Sequence, residues 1–172
     1  QWHLGLAKSR IAAAEQNEPD YLLQSLSPEP GQRYFDGNLG MAHDALLIAS
    51  RGALVVAMEI DPIVRAITES GLHALANSDA PLADAAQRIE ILEGDHETFL
   101  QNAAANSFDG IFFSPMFVEP DFRANDLDGL REIAHHQWLH LETLTEARRV
   151  SSKVVVKLER GCHPEMPNPA GG

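Results

Sequence analysis

From residue 33 onward the chain alternates short apolar runs with longer stretches of helical apolar spacing, the rhythm of an α/β fold built on a parallel sheet. Arg33-Tyr34-Phe35 reads as a first strand, followed by the tight loop Asp36-Gly37-Asn38-Leu39-Gly40 and a helix from about Met41 to Ser50. Gly52 closes that helix. Ala53 to Met58 is almost continuously apolar, as a strand covered on both faces must be, and it ends at Glu59. Asp61-Pro62 supplies a cap and a first-turn proline, behind which Ile63, Val64, Ile67, Ala74 and Leu75 keep helical spacing. Asn77 to Ala86 begins as a loop, and Ile89-Glu90-Ile91-Leu92 forms a third strand. Gly94-Asp95 opens a helix ending before Asn106, and Phe108 to Phe113 is a fourth strand. Ser114-Pro115-Met116-Phe117 leads into an irregular acidic loop reaching Asp128, a length usually kept for function. Leu130, Ile133, Trp138, Leu141 and Leu144 then suit a long helix toward Val150, and Lys153 to Leu158 a fifth strand.

Ahead of this pattern, residues 6 to 16 are Ala-rich and helical in character, and Asn17-Glu18-Pro19-Asp20 breaks the chain before a short helix carrying Tyr21, Leu22, Leu23 and Leu26. Pro28, Pro30 and Gly31 end that helix. The organisation expected is an N-terminal helical extension over 1–30, one domain over 31–160 and an irregular tail over 161–172. That tail carries three prolines and cannot hold a further strand pair.

With 44% hydrophobic and 22% charged residues over 172 positions, the composition is that of one globular domain. No apolar run approaches the ~18 residues of a membrane span, and the N-terminus lacks the basic-then-apolar order of a signal peptide. A single cysteine, Cys162, allows no internal disulfide and no Cys-rich metal site, so a reducing, cytoplasmic setting is expected. The net charge of -12 repels nucleic-acid phosphates unless basic residues gather locally.

In a doubly wound sheet, ligands bind beyond the C-terminal strand ends near the point where strand order reverses. The polar candidates all fall at such ends: Asp36 to Gly40 after strand one, Glu59 closing strand two, Asp95 after strand three, Ser114-Pro115 after strand four. Glu59 lies 23 residues beyond Asp36, the separation at which an acid reaches the ribose hydroxyls of a nucleoside held over the first turn. A pyrophosphate would need glycines at the third and sixth positions counted from Gly37, where Leu39 and Ala42 stand instead. An S-adenosyl group has no phosphate and carries a cationic amino-acid end, which suits an acidic Asp36. Asp95 would then accept from the adenine amino group.

The run Asp36-Gly37-Asn38-Leu39-Gly40-Met41-Ala42-His43-Asp44-Ala45, with Glu59-Ile60-Asp61-Pro62, Gly94-Asp95 and Ser114-Pro115-Met116-Phe117, resembles class I S-adenosylmethionine-dependent methyltransferases over about residues 31 to 160. Within them it is most similar to the ribosomal-RNA guanine-N2 methyltransferases and their uncharacterised relatives. The resemblance implies a Rossmann-like three-layer sandwich with strand order 3-2-1-4-5 and S-adenosyl-L-methionine as cofactor. It assigns cofactor contacts to Asp36, Gly37, Asn38, Gly40, Glu59, Ile60, Asp95 and His96, and acceptor contacts to Ser114, Pro115 and Phe117. The class ends in an antiparallel strand pair, which is expected to be missing here and to leave the fifth strand as an open edge and a dimerisation liability.

The reaction implied is methyl transfer to an amino nitrogen, guanine N2 of ribosomal RNA if the relatives are a guide. Ser114 and the Pro115 carbonyl would accept the amine N–H bonds while Phe117 stacks on the base. Two departures stand against full activity: Ala42 replaces the family's second glycine, and Ser114 replaces the acid that accepts from the target amine. A cofactor-binding protein without turnover is therefore one alternative. Residues 84 to 132 carry eleven acids against three bases, which favours a cationic or neutral small molecule as another.

Plainer readings exist for each feature. The glycine loop is also a strand-to-helix turn, and Asp95 a helix cap. Ser114 to Phe117 also reads as an ordinary loop with a buried phenylalanine. His136 and His140 share a helix face, but with no evident third ligand no metal site is expected. His43 is placed to line the pocket or to cap the helix. Trp2 serves as a core anchor or a cover for the substrate side. Arg148, Arg149, Lys153, Lys157 and Arg160 are the one basic concentration, divided by strand alternation and explained at the helix end by the dipole.

Overall fold

The computed structural model describes residues 2–115 and 139–157. Met116, Phe117, the acidic loop, the first half of the long helix and everything from Leu158 lie outside the described residues. The strands are β1 (Arg33–Asp36), β2 (Leu54–Glu59), β3 (Ile89–Glu93), β4 (Gly110–Phe113) and β5 (Val154–Val156). They form one sheet in the order β3-β2-β1-β4-β5, and every pairing is parallel. The expected order is therefore the observed one. The chain moves outward from β1 to β2 and β3 and returns to its other side with β4, so the reversal falls at the end of β1, where Asp36 pairs in register with Ala57 and Phe112.

Side-chain alternation along these strands builds two cores. Tyr34, Val55, Ala57 and Phe112 pack beneath α1 (Gly5–Glu15), α2 (Tyr21–Leu26), α3 (His43–Ala49), α4 (Pro62–Ala76) and α5 (Ala83–Gln87). Phe35, Val56, Met58, Ile111 and Phe113 pack on the other face with α6 (His96–Asn102) and α7 (Leu141–Val150). The result is helices, sheet, helices: a three-layer sandwich. Among the described residues no helix is long and apolar enough to cross a membrane.

Local chemistry explains most boundaries. Asp20 caps α2 by accepting from the Leu22 and Leu23 amides at 3.0 and 3.2 Å, and Asp61 caps α4 from Ile63 and Val64 at 2.8 and 3.0 Å, with Pro62 in the first turn. Some boundaries refine or depart from the sequence reading. Helix α3 starts at His43 rather than Met41, because the Ala42 amide closes a turn on the Leu39 carbonyl at 2.8 Å and Ala42 takes a left-handed φ of 63°. The five-residue α5 closes a stretch read as loop only at its start; it is too short to nucleate alone and is held by packing against α4 and α3. Strand β4 starts at Gly110 rather than Phe108, whose amide turns to the Val150 carbonyl at 3.4 Å.

Helices α1 and α2 bury Ala7, Ile11, Ala14, Leu22, Leu23 and Leu26 in the same core as α3. Arg10 on α1 joins them to the glycine loop's helix, pairing with Asp20 at 2.9 Å and with Asp44 in the first turn of α3. Trp2 lies against the bare backbone of Gly71 in α4 and donates its indole N–H to the Met41 carbonyl at 3.1 Å.

Candidate functional site at the strand ends

The loop after β1 is fixed from four sides. The Gly37 amide donates to Phe112 of β4 at 3.0 Å, and the Leu39 amide to Met58 of β2 at 2.9 Å. The Gly40 amide donates to Glu59 Oε2 at 2.8 Å, while the Gly40 carbonyl accepts from Thr68 Oγ1 of α4 at 2.7 Å. Glu59 Oε1 accepts from the Asp61 amide at 3.0 Å, so one carboxylate ties the glycine loop to the start of α4. A carboxylate has roughly four acceptor positions, so Glu59 keeps capacity for further donors at the loop tip. Gly40 adopts φ 51°, open to glycine without strain. Ala42 sits at φ 63° with a fully buried methyl group, a conformation costing a non-glycine residue about 1 kcal/mol. The sequence departure at position 42 is therefore accommodated by backbone strain and does not redirect the loop.

Asp36 is 1% exposed and accepts from the Asn38 amide at 3.0 Å. Burial pushes its carboxyl well above the ordinary carboxylate range. The nearby Asp44 and Glu59 carboxylates push the same way, against the Asn38 bond and the Lys157 ammonium. A native state that holds this proton more tightly than the unfolded chain gains stability in acid and loses it as pH rises through the native pKa. Asp36→Asn keeps the acceptor for Asn38 and removes the ionisation. Its thermal midpoint is expected to exceed the parent's by an increment that is small near pH 4 and grows toward pH 8. Melting curves of both proteins across that range check this, and a pH-independent increment would mean Asp36 ionises as an exposed carboxylate does.

His96 opens α6 and is 3% exposed. Its ring nitrogen Nδ1 lies 2.9 Å from the Gly37 carbonyl, which can only accept, so Nδ1 carries the proton and Nε2 is a lone pair. Burial pushes the imidazole pKa down and keeps the ring neutral. Among the described residues Nε2 has no hydrogen-bond partner, and neither does Asn38 Oδ1 in the loop itself. Two orphaned buried acceptors beside one acidic loop mark a place suited to donors and cations, because an unpaired buried polar atom is costly unless a ligand completes it.

The other predicted residues are placed as follows. Asp95 caps α6, its Oδ1 accepting from the Thr98 amide at 2.8 Å, and that bond holds its carboxyl below the usual range. Ile60 stands 37% exposed beyond Glu59. Ser114 and Pro115 are half-buried directly after β4, and Phe117 lies outside the described residues. Surface grooves of about 720 Å³ beside Trp2 and α4, and about 310 Å³ beneath α6 with Asp95 in its wall, lie off the reversal point. Sequence reasoning missed Thr68 and the Arg10–Asp44–Lys157 ion pairs. A signal for Thr68 was present: a hydroxyl at a core position of the amphipathic α4, in line with Val64 and Leu72.

An adenosyl ligand with a cationic sulfonium and ammonium fits this set of acceptors at Asp36, Asn38, Glu59 and His96, and a loop that lacks the glycine spacing for a pyrophosphate. Comparison with known proteins supports S-adenosyl-L-methionine as the cofactor. A protein of Bacillus subtilis (strain 168) described as "Uncharacterized protein YpiP" is 30% identical over 90% of this chain and 62% of its own length. Ribosomal RNA small subunit methyltransferase J of Acinetobacter baumannii is 29% identical over 73% of this chain and 50% of its own length; the Cellvibrio japonicus protein of that name is 35% identical over 51% and 35%. The chain thus spans less than two thirds of these relatives. The structure of a SAM-dependent methyltransferase from Neisseria gonorrhoeae superposes with TM-score 0.60 at 20% identity, over 84% of this chain and 59% of that one. One from Aquifex aeolicus gives 0.50 at 16% identity, over 91% and 77%; at such identities the likeness is one of fold. Residues 8–161 match the family described as "Putative SAM-dependent methyltransferase", and with the strand order and the loop geometry this match establishes that the chain belongs to that family.

Proposed function

We propose that the chain binds S-adenosylmethionine across the ends of β1, β2 and β3 and transfers its methyl group to an amino nitrogen; likeness to ribosomal RNA small subunit methyltransferase J favours an RNA acceptor, and the motif resemblance narrows it to guanine N2. The observation that carries the reading is the Glu59 carboxylate seated on the Gly40 amide at 2.8 Å, beside the buried Asp36. There it meets the first loop of a nucleoside site with acceptor capacity to spare for ribose hydroxyls. When bound, the cofactor supplies a methyl already activated on sulfonium, so the chain's task is positioning. Asp36, Asn38 Oδ1 and neutral His96 Nε2 provide acceptors around the loop, and Ile60 offers apolar contact beside the sugar. Ser114 and the Pro115 carbonyl at the end of β4 accept from the incoming amine, turning its lone pair toward the methyl. An RNA substrate would place this work in the cytoplasm.

The acidic field supports a second reading, methyl transfer to a small cationic or neutral acceptor, since eleven acids against three bases over residues 84 to 132 oppose a polyanion. Calorimetric titration with S-adenosylhomocysteine tests the cofactor site, and no heat of binding would end both readings. Methyl transfer to a small-subunit RNA transcript should weaken steeply as salt rises, because counterion release dominates polyanion binding; a flat response sinks the RNA version. Ser114→Asp restores a charged acceptor, and transfer to an amine is expected to quicken about tenfold, the value of one charge-assisted hydrogen bond. An unchanged rate would remove Ser114 from the acceptor site.

A further inference from the structure

Lys157 follows β5, and its side chain does not turn outward along the sheet edge. Its amide donates to the Phe113 carbonyl at the end of β4, at 2.8 Å, while its ammonium lies 3.3 Å from Asp44 Oδ2 in the first turn of α3, the helix that follows β1. The side chain thus spans from the end of β4 to the start of α3, the helix after β1, close enough for its charge to act on Asp36. The side chain remains 55% exposed there, and an ammonium with three N–H donors has others to offer besides the one facing Asp44. Arg10 pairs with the other carboxylate oxygen of Asp44, so two cations share that acid.

The surrounding groups define what is lacking. Asp36, Asn38 Oδ1, Glu59 and His96 Nε2 all accept, which suits hydroxyls, an ammonium and a sulfonium. None suits the α-carboxylate that the same amino-acid end carries. A zwitterion seated among acceptors is best balanced by a cation, and among the described residues Lys157 brings a half-exposed ammonium to the start of α3 beside these strand ends. We propose that the Lys157 ammonium anchors the α-carboxylate of the methionine moiety, sharing its donors between that carboxylate and Asp44. The assignment rests on the cofactor reading above and adds the residue that recognises the amino-acid end.

The experiment compares two ligands by calorimetry: S-adenosylhomocysteine, and 5′-methylthioadenosine, which keeps the adenosine and thioether but lacks the amino acid. Lys157→Gln is expected to weaken S-adenosylhomocysteine about tenfold, the worth of one partly solvated charge-assisted contact, and to leave methylthioadenosine within about twofold. Lys157→Arg, keeping the charge, should hold S-adenosylhomocysteine within about threefold. Unchanged binding in Lys157→Gln overturns the proposal, and so does equal weakening of both ligands, which is the mark of a merely structural ion pair. The wild-type chain offers a check free of any folding defect: the α-carboxamide of S-adenosylhomocysteine should bind it about tenfold more weakly than the acid, and equal affinity overturns the assignment. Failure of wild type to bind S-adenosylhomocysteine at all would instead remove the cofactor reading itself.

Discussion

Gly37→Ala is expected to abolish measurable S-adenosylhomocysteine binding and to lower the thermal midpoint by about 3–10 °C, the range for ~1–3 kcal/mol of overpacking in a chain of this size. A Cβ on Gly37 would lie 2.4 Å from two carbons of the Phe113 ring, far inside contact distance. The ring cannot simply turn away, being fully buried on β4 with the His96 imidazole against it at 5.4 Å. The backbone must move instead, and Gly37 is where the loop is fastened on both sides, through its amide to Phe112 and its carbonyl to His96. Displacement would carry Asn38 off Asp36 and Gly40 off Glu59 and empty the site of its preorganised geometry. Calorimetry and a melting curve measure the two effects together. The double variant Gly37→Ala, Phe113→Leu should recover part of the binding, since the two positions are coupled through one contact. Wild-type affinity in the single variant would show that the loop geometry described here is not the one that holds the ligand.

Glu59→Ala is the second large effect: an approximately 100-fold loss of affinity for S-adenosylhomocysteine, about 2.7 kcal/mol, with a midpoint only about 2–5 °C lower. The carboxylate accepts two backbone amides, from Gly40 and Asp61, and in the proposed complex the ribose hydroxyls as well. Bonds to a charged acceptor are worth about 1.5–3 kcal/mol each, less where solvent reaches the group. Stability falls less than affinity because the loop retains the Phe112, Met58 and Thr68 bonds. Methylthioadenosine should weaken by the same factor, because it carries the same ribose, whereas Lys157→Gln separates the two ligands. Glu59→Gln should lie between, keeping one acceptor while turning an NH2 toward a backbone N–H. Undiminished binding in Glu59→Ala would reduce this residue to a cap for the loop.

The methyl acceptor is decided by physics the cofactor site does not contain. Likeness to ribosomal RNA methyltransferases favours an RNA acceptor, and the charge distribution points away from polyanions; the two make opposite predictions for the salt dependence of transfer. Arg149, part of the basic concentration, is committed to the carbonyls of Leu100 in α6 and of Ala103 just after it, at 2.7 and 2.8 Å, and to Glu146. Lys153 donates to the Leu26 carbonyl at 3.0 Å. These cations serve the fold and offer little to a phosphate backbone.

By itself the sequence determined the layered α/β fold, the strand ends that matter and the acids standing at them. Strands buried on both faces must be apolar throughout, caps must carry short acceptors, and a loop without a third glycine cannot admit a pyrophosphate, so each property is local and written in residue type. Tertiary structure alone decided what those residues touch. That Gly37 needs its hydrogen because of Phe113, 76 positions away, that His96 is locked as one tautomer by a carbonyl 59 residues distant, and that Lys157 reaches back to Asp44 across 113 residues are consequences of parallel strand order. The same holds for α1 and α2, read as an extension but built into the helical layer through Arg10 and the α3 core. Spacing along a chain encodes periodicity, whereas such meetings depend on which strands lie side by side, and no local pattern carries that information.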